Sequence, residues 1–182
     1  MNPPDEQALT LVSDPVEWTT MILEANMNKP PVNSPSMNTR LTDSLNQVLA
    51  DSYALLSLTH LAHWNVEGPG FFALHTAFQT QYEELFIAID EIAERIRALD
   101  AYAIGGLGTL AKAAQMKEFV SPLVQEEYVR ALIAANRKVV SDAARARDLA
   151  GEAGDAESQD LMIGRITLHQ KTIWMLKSFL KV

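Results

Sequence analysis

Apolar residues recur every three or four positions along four long stretches of the chain, which is the period of an amphipathic α-helix. These stretches predict helices over residues 42–66, 71–99, 125–150 and 155–180. Thr39 or Thr42 is the expected cap of the first helix, and Asp155 or Ser158 the start of the fourth. The second helix has the clearest core stripe, formed by Phe71, Leu74, Phe78, Leu85, Ile89, Ile92 and Ile96. The inward positions expected on the fourth helix are Leu161, Ile166, Ile173, Leu176 and Phe179. Because no stretch shows the alternation of a strand, the pattern predicts an all-α four-helix bundle.

Glycine and proline mark the connections between these helices. Gly68-Pro69-Gly70 separates the first two helices and predicts a sharp reversal of the chain. Gly105-Gly106-Leu107-Gly108 closes the second helical region, and residues 109–117 then predict one or two helical turns. Gly151 and Gly154 end the third helix. The predicted fold is therefore a four-helix bundle with a short extra helix in its second connection.

Residues 1–38 differ in composition from the rest, with six prolines and with five acidic residues against a single lysine. Such a composition predicts an acidic N-terminal extension that is mostly mobile or extended. The alternative is a short helix over residues 15–26 that docks through Trp18, Met21 and Ile22. The expected division is an extension over 1–38 and a bundle over 39–182.

Composition narrows the chemistry that the chain can carry. It contains no cysteine, so disulfides and thiolate metal sites are excluded and imidazoles and carboxylates remain as ligands. A formal charge of −8 argues against general affinity for nucleic acid and suits a protein that attracts cations. No apolar run reaches the roughly 18 residues of a membrane-spanning helix, and the N-terminus lacks the pattern of a secretory signal. We therefore expect a cytoplasmic protein with no membrane partner.

Two histidines flank the first connection symmetrically. His63 and His75 each lie six residues from Pro69. In an antiparallel pair of helices, equal distances from the corner place two side chains at the same height. The spacing therefore predicts that the two imidazoles face the same space.

An acidic pair lies further along the second helix. Asp90 and Glu94 are four residues apart and share a helix face that points away from the core stripe. Asp90 follows His75 by 15 residues, or about 22 Å along a helix at 1.5 Å per residue. Metal–ligand bonds of roughly 2 Å cannot bridge that distance. If the four residues form one site, a second copy must supply the carboxylates, which predicts a dimer with two shared metal sites.

This set of residues resembles the Dps family, the mini-ferritins of starved bacterial cells. The resemblance rests on His63-Trp64-Asn65, the twelve-residue step to His75, and Asp90-x-x-x-Glu94 followed by Arg95, and it extends from about Leu41 onward. It implies a ferritin-like fold and a di-iron ferroxidase centre at a dimer interface. His63 and His75 would come from one subunit, and Asp90 and Glu94 from its partner.

The resemblance also implies an activity and an assembly. Fe(II) would be oxidised by hydrogen peroxide, or more slowly by oxygen, and stored as ferric mineral in a hollow dodecamer built from dimers. Zn(II) suits the same ligands and would compete with iron. Trp64, beside a ligand, would quench oxidising equivalents or fill an interface. Asp155 and Asp160 would line pores for iron entry or would only cap a helix, and Gly164 stands where some members carry a further acid.

Three other functions compete with this interpretation. A conventional ferritin would need Glu-x-x-His pairs inside one bundle, and the sequence contains none. A nucleoid-binding Dps protein uses a lysine-rich terminus, whereas residues 1–38 are acidic, which argues against direct DNA binding. A non-catalytic helical assembly that binds Zn(II) or no metal differs from the ferroxidase only in its metal chemistry, so it stays open.

Overall fold

The computed structural model describes residues 36–181. The helices in this range are α1 (Met37–Asn65), α2 (Phe71–Ala98), α3 (Leu107–Ala113), α4 (Gln125–Ala153) and α5 (Ala156–Phe179). No strand occurs within the described range. Helix α1 packs against α2, α3 and α4, and α4 packs against α5. The prediction of an all-α four-helix bundle with a short helix in the long connection is confirmed.

Helix α1 begins earlier than its apolar pattern predicted. Ser36 is the cap, and its Oγ accepts a hydrogen bond from the backbone N–H of Thr39 at 3.2 Å. Thr39 and Thr42 therefore lie inside the helix, and the predicted caps are wrong. The first turn carries few apolar side chains, so periodicity becomes visible only at Leu41, which is 1% exposed.

The predicted core stripe of α2 is buried, apart from the half-buried Phe71. Helix α5 is different, because only Leu176 of its five predicted inward residues is fully buried. The other four are partly buried and pack against the core. The buried interior of α5 also includes Met162 and three polar residues, Ser158, Arg165 and His169. These polar groups interrupt the apolar stripe, so its periodicity is weak.

The corner between α1 and α2 is fixed against the first residue of α4 and the last residue of α5. Gly68 has a φ of 103°, which favours glycine. The N–H of Gly70 donates to Oε1 of Gln125 at 2.9 Å. A Cβ atom on Gly70 would lie 2.8 Å from the Phe179 ring, so any larger residue would force that ring to move. The corner that carries His63 and His75 is therefore tightly packed.

The remaining boundaries differ only slightly from prediction. The short helix α3 is shifted toward the N-terminus of its predicted range. Helix α4 ends at Ala153 and is capped by Gly154, whose φ is 73°. None of the helices in residues 36–181 combines the length and apolar character needed to cross a bilayer. The predicted extension lies outside the described residues except for its last three, as does the short helix suggested over residues 15–26. The division at residue 38 stays a prediction.

Candidate metal centre

The corner brings His63 and His75 into direct contact. Their rings stack with centroids 3.7 Å apart and planes 22° from parallel. Nδ1 of His63 donates to the backbone carbonyl of His75 at 2.9 Å, and Nδ1 of His75 donates to the carbonyl of His63 at 3.0 Å. A carbonyl oxygen can only accept, so each Nδ1 carries a hydrogen. In the neutral imidazole this arrangement leaves the lone pair on Nε2, which is the form in which histidine binds metal.

Aromatic side chains surround the histidine pair. The ring of Phe71 stacks on His75 at 5.0 Å, and the ring of Tyr82 meets His63 edge-on at 5.2 Å. His63 is only 8% exposed and His75 is half-buried. The packing fixes both rings and limits the access of water. Tyr82 was missed by sequence reasoning, although it follows His75 by two helical turns and so shares its face.

His60 lies one turn before His63 and contacts both Tyr82 and Trp64. Its ring centroid is 4.2 Å from Tyr82 and 5.2 Å from Trp64, on which it stacks. Burial lowers the pKa of His60, and the neighbouring His63 lowers that pKa further. The lowered pKa favours the neutral form of His60, which does not repel a cation at the pair. Trp64 is 68% exposed, so its indole is available to a partner surface.

The structure does not bring Asp90 and Glu94 to the histidines of the same chain. Both carboxylates are exposed on α2, which runs without a break from His75 to Glu94. Within residues 36–181, no three histidine or acidic side chains are grouped so as to hold a metal ion. The described residues also provide no ion-pair partner for either carboxylate. The site that combines all four residues stays a prediction that requires a second copy.

The exposed face of α2 that carries these carboxylates also carries large apolar side chains. Phe72, Phe86 and Ile87 are 85%, 70% and 61% exposed. At 100° per residue, they lie within roughly 20° to 120° of His75, the same sector as Asp90 and Glu94. Exposed aromatic and aliphatic side chains along one helix face are typical of surfaces that take part in protein–protein contacts.

Asp155 is bound within its own chain. Its Oδ1 accepts from Arg95 Nη2 at 2.6 Å and from the N–H of Ser158 at 3.0 Å, which caps α5. Burial would raise the pKa of Asp155, but the hydrogen bonds from Arg95 and Ser158 outweigh burial and lower that pKa. Asp155 therefore attaches α5 to the segment of α2 that carries Glu94. Asp160 is exposed, and a pore role for either residue stays a prediction.

A polar network fills the interior between α2 and α5. Arg165 is 3% exposed and forms an ion pair with both carboxylate oxygens of Glu84. Nη2 of Arg165 also donates to Nε2 of His169 at 3.0 Å. Nδ1 of His169 donates to Oδ1 of Asn136 at 2.8 Å. Burial lowers the pKa of His169 to about 3, with a further contribution from the charge of Arg165. The interior thus holds a guanidinium that is paired with a carboxylate and an imidazole.

Comparisons with known proteins agree with this fold. The ferritin-like domain model matches residues 42–182. A low temperature-induced protein of Nostoc sp. is 35% identical over 157 residues, which cover 81% of this chain and 88% of that protein. The DNA protection during starvation protein 2 of Bacillus anthracis is 31% identical over 79% of this chain and 99% of its own length.

Solved structures give the same result. The crystal structure of the Dps protein of Vibrio cholerae O1, described as a ferritin-like diiron-carboxylate protein, superposes with a TM-score of 0.77. The two sequences are 32% identical, and the match covers 85% of this chain and 99% of that one. The bundle therefore defines a ferritin-like protein. Within that class, the chain belongs to the Dps family, whose members are associated with iron storage or DNA protection.

Proposed function

We propose that the protein oxidises Fe(II) with hydrogen peroxide at sites shared between two subunits and stores the ferric product in a hollow dodecameric shell. The reciprocal hydrogen bonds of His63 and His75 are the observation that carries this proposal. They fix the orientation of two stacked imidazoles and leave Nε2 of each ring outside these bonds. Oxygen is the slower alternative oxidant.

The exposed face of α2 supports a partner copy as the source of the carboxylates. Phe72, Phe86 and Ile87 would be buried against that copy, and Asp90 and Glu94 would approach its histidines. A twofold axis applies the same contact twice, so one dimer contains two sites. Burial of these apolar side chains stabilises the contact between the two copies, and that contact brings the carboxylates to the histidines.

Two imidazoles and two carboxylates suit Fe(II), and Zn(II) is expected to compete for the same ligands. By its resemblance to the family, Glu94 would bridge two iron ions. Two Fe(II) ions together supply the two electrons that reduce one hydrogen peroxide, with two protons, to two molecules of water. Single-electron reduction, which releases hydroxyl radical, is thereby avoided. Trp64 is exposed beside the pair and would fill the interface or donate an electron to a stray oxidant.

DNA protection is the second candidate, because relatives carry that name. The net charge of −8 opposes direct contact with phosphates. Removal of Fe(II) and peroxide would protect DNA without contact. We expect no retardation of DNA in an electrophoretic shift assay at physiological salt, and a clear shift would contradict this charge argument.

Mixing two inactive variants tests the shared site. His63→Ala/His75→Ala removes the imidazoles, and Asp90→Ala/Glu94→Ala removes the carboxylates, so each variant alone should lose rapid peroxide-dependent Fe(II) oxidation. After subunits are dissociated and reassembled together, each mixed dimer contains one intact site. Stopped-flow absorbance should then show partial recovery of the rapid phase.

Glu91→Ala is the matched control, because Glu91 is an exposed acid on the same helix, about 100° from Asp90. It should oxidise Fe(II) at the wild-type rate. Wild-type rates in the histidine variant would refute the ligand assignment. Inactive single variants without recovery in mixed dimers would refute the sharing of the site between subunits.

A further inference from the structure

A buried charged cluster lies between α1 and α4. Asp51 is 0% exposed and Asp142 is 2% exposed. Nζ of Lys138 donates to Oδ2 of Asp51 at 3.2 Å and to Oδ2 of Asp142 at 2.5 Å. Two ionised carboxylates against one ammonium would leave an uncompensated negative charge in the interior. Such a charge is costly to bury, and one added proton removes it.

The hydrogen-bond donors are divided unequally between the two carboxyl groups. Besides Lys138, Asp51 accepts from Gln47 Nε2 at 2.7 Å and from the backbone N–H of Gln115 at 2.8 Å. Asp142 accepts from Lys138 alone, and its Oδ1 is buried without a hydrogen-bond partner in the part of the chain that the structure describes. Donors stabilise an ionised carboxylate, and their absence favours the protonated form. Asp142 is therefore the group that should hold the proton.

The electrostatic surroundings act in the same direction. Burial is the largest influence and raises the pKa of Asp142; the hydrogen bond from Lys138 lowers that pKa, and the neighbouring Asp51 raises it again, so the net direction is upward. Because Nζ of Lys138 contacts Oδ2 of both Asp51 and Asp142, the two carboxyl groups lie side by side. Lys117 and Glu118 line the cavity beside Lys138, but both are exposed to solvent.

The cluster attaches the end of α3 to α1. In addition to the bond from Gln115 to Asp51, Gln47 Nε2 donates to the carbonyl of Ala113 at 3.1 Å. Nε2 of Gln115 donates to Oε1 of Gln47 at 3.1 Å. Helix α3 forms one wall of a cavity of about 650 Å³, and Trp64 and His60 line the same cavity from α1. The position of α3 therefore shapes the surface beside the histidine pair.

We propose that Asp51, Lys138 and Asp142 form a cluster without net charge, in which Asp142 holds one proton. Loss of this proton in alkaline solution loosens α3 from α1. The folded protein then holds a proton that the unfolded chain releases above the ordinary pKa of aspartate. The resulting stability is present at low pH and is lost as pH rises through the folded pKa.

Infrared spectroscopy of protein with ¹³C-labelled aspartate tests this proposal directly. At neutral pH, the wild type should show the carbonyl band of one protonated carboxylic acid, and Asp142→Asn should lack it. The same band should persist in Asp43→Asn, which alters an exposed aspartate on α1. A wild-type spectrum without a protonated-carboxyl band overturns the proposal, even if neither interior variant folds.

Stability and hydrogen exchange provide the second readout. Asn mimics a neutral Asp142, so Asp142→Asn should equal or exceed the wild type in unfolding free energy at neutral pH, with an advantage that grows as pH rises. Asp51→Asn replaces one of the two oxygens that accept from three donors by an NH2 group and should be clearly less stable. At one alkaline pH, the Gln115 amide should exchange faster in wild type than in Asp142→Asn. Equal destabilisation by the two substitutions would contradict the assigned proton position.

Discussion

His63 and His75 at the corner of α1 and α2 can be compared with His169 in the bundle interior. In both regions, Nδ1 donates its hydrogen to an oxygen of the protein: a backbone carbonyl at the corner and the Asn136 side chain in the interior. This bond sets the tautomer and the direction of the ring. All three imidazoles consequently direct the lone pair of Nε2 away from the orienting bond.

The difference lies in what faces Nε2. In the interior, the guanidinium of Arg165 donates to Nε2 of His169 and neutralises Glu84. At the corner, the described residues provide no donor to either Nε2, and the nearby face of α2 is exposed. Orientation alone therefore does not distinguish a metal ligand from a structural histidine. The two are distinguished by the group that contacts the lone pair of Nε2.

The largest expected effect on stability comes from removing Arg165. Arg165→Met leaves His169 without its donor and Glu84 without its counter-charge. Breaking a buried ion pair lowers the unfolding free energy by about 3 to 5 kcal/mol. Because Glu84 is partly exposed, we expect a loss of about 3 kcal/mol for Arg165→Met. Chemical denaturation at fixed protein concentration measures the loss.

Arg137→Met is the control for this experiment, since Arg137 is exposed on α4. Its substitution should change the unfolding free energy by less than about 0.5 kcal/mol. If Arg165→Met also left the unfolding free energy unchanged, the guanidinium would not be what holds His169 in a structural role. The comparison between His169 and the corner histidines would then fail.

The corner was predictable from sequence because its geometry follows from counting residues. Equal spacing of His63 and His75 from Pro69 predicts that the rings meet, and the structure stacks them. The reciprocal bonds to backbone carbonyls were not predictable, because they depend on how closely α1 and α2 approach. Tyr82 was overlooked for a related reason: an aromatic residue at helical spacing is consistent with ordinary core packing.

The interior network was beyond the reach of the sequence pattern. Arg165 and Glu84 are 81 residues apart, and charged side chains normally indicate an exposed helix face. Their burial depends on long-range pairing between α2 and α5, which local periodicity does not report. The same limit applies to Phe72, Phe86 and Ile87, whose apolar character alone would suggest burial. Only the fold shows that they are exposed within the chain.

A smaller effect, spread over a range of pH, follows from the lowered pKa of His169. The imidazole titrates near 6.5 in the unfolded chain and near 3 in the folded protein. As pH falls through this window, only the unfolded chain takes up the proton, so stability is present above about pH 6.5 and is lost on acidification. The slope from one such group is at most about 1.4 kcal/mol per pH unit.

Denaturation between about pH 6.5 and 4.5 should therefore show a steeper fall for wild type than for His169→Gln, which cannot take up this proton. The lower limit keeps the measurement above the range in which most carboxylates titrate. If the unfolding free energies of wild type and His169→Gln fell equally with pH, His169 would not be held neutral. The contrast between His169 and the corner histidines would then have no electrostatic basis.

The smallest effect is expected for His60, which resembles neither the two corner histidines nor the structural histidine of the interior. Among residues 36–181, no hydrogen bond orients its ring, which is held by stacking on Trp64 and by contact with Tyr82. Without an orienting bond, it lacks the feature that the three other histidines share. His60→Phe should preserve the aromatic contacts and change the rate of Fe(II) oxidation by only about two- to threefold, or about 0.5 kcal/mol. Stopped-flow rates and the metal stoichiometry of the variant measure this. Loss of one bound metal per site would show that an imidazole can be a ligand here without prior orientation, and the criterion that separates the corner from the interior would then have to be abandoned.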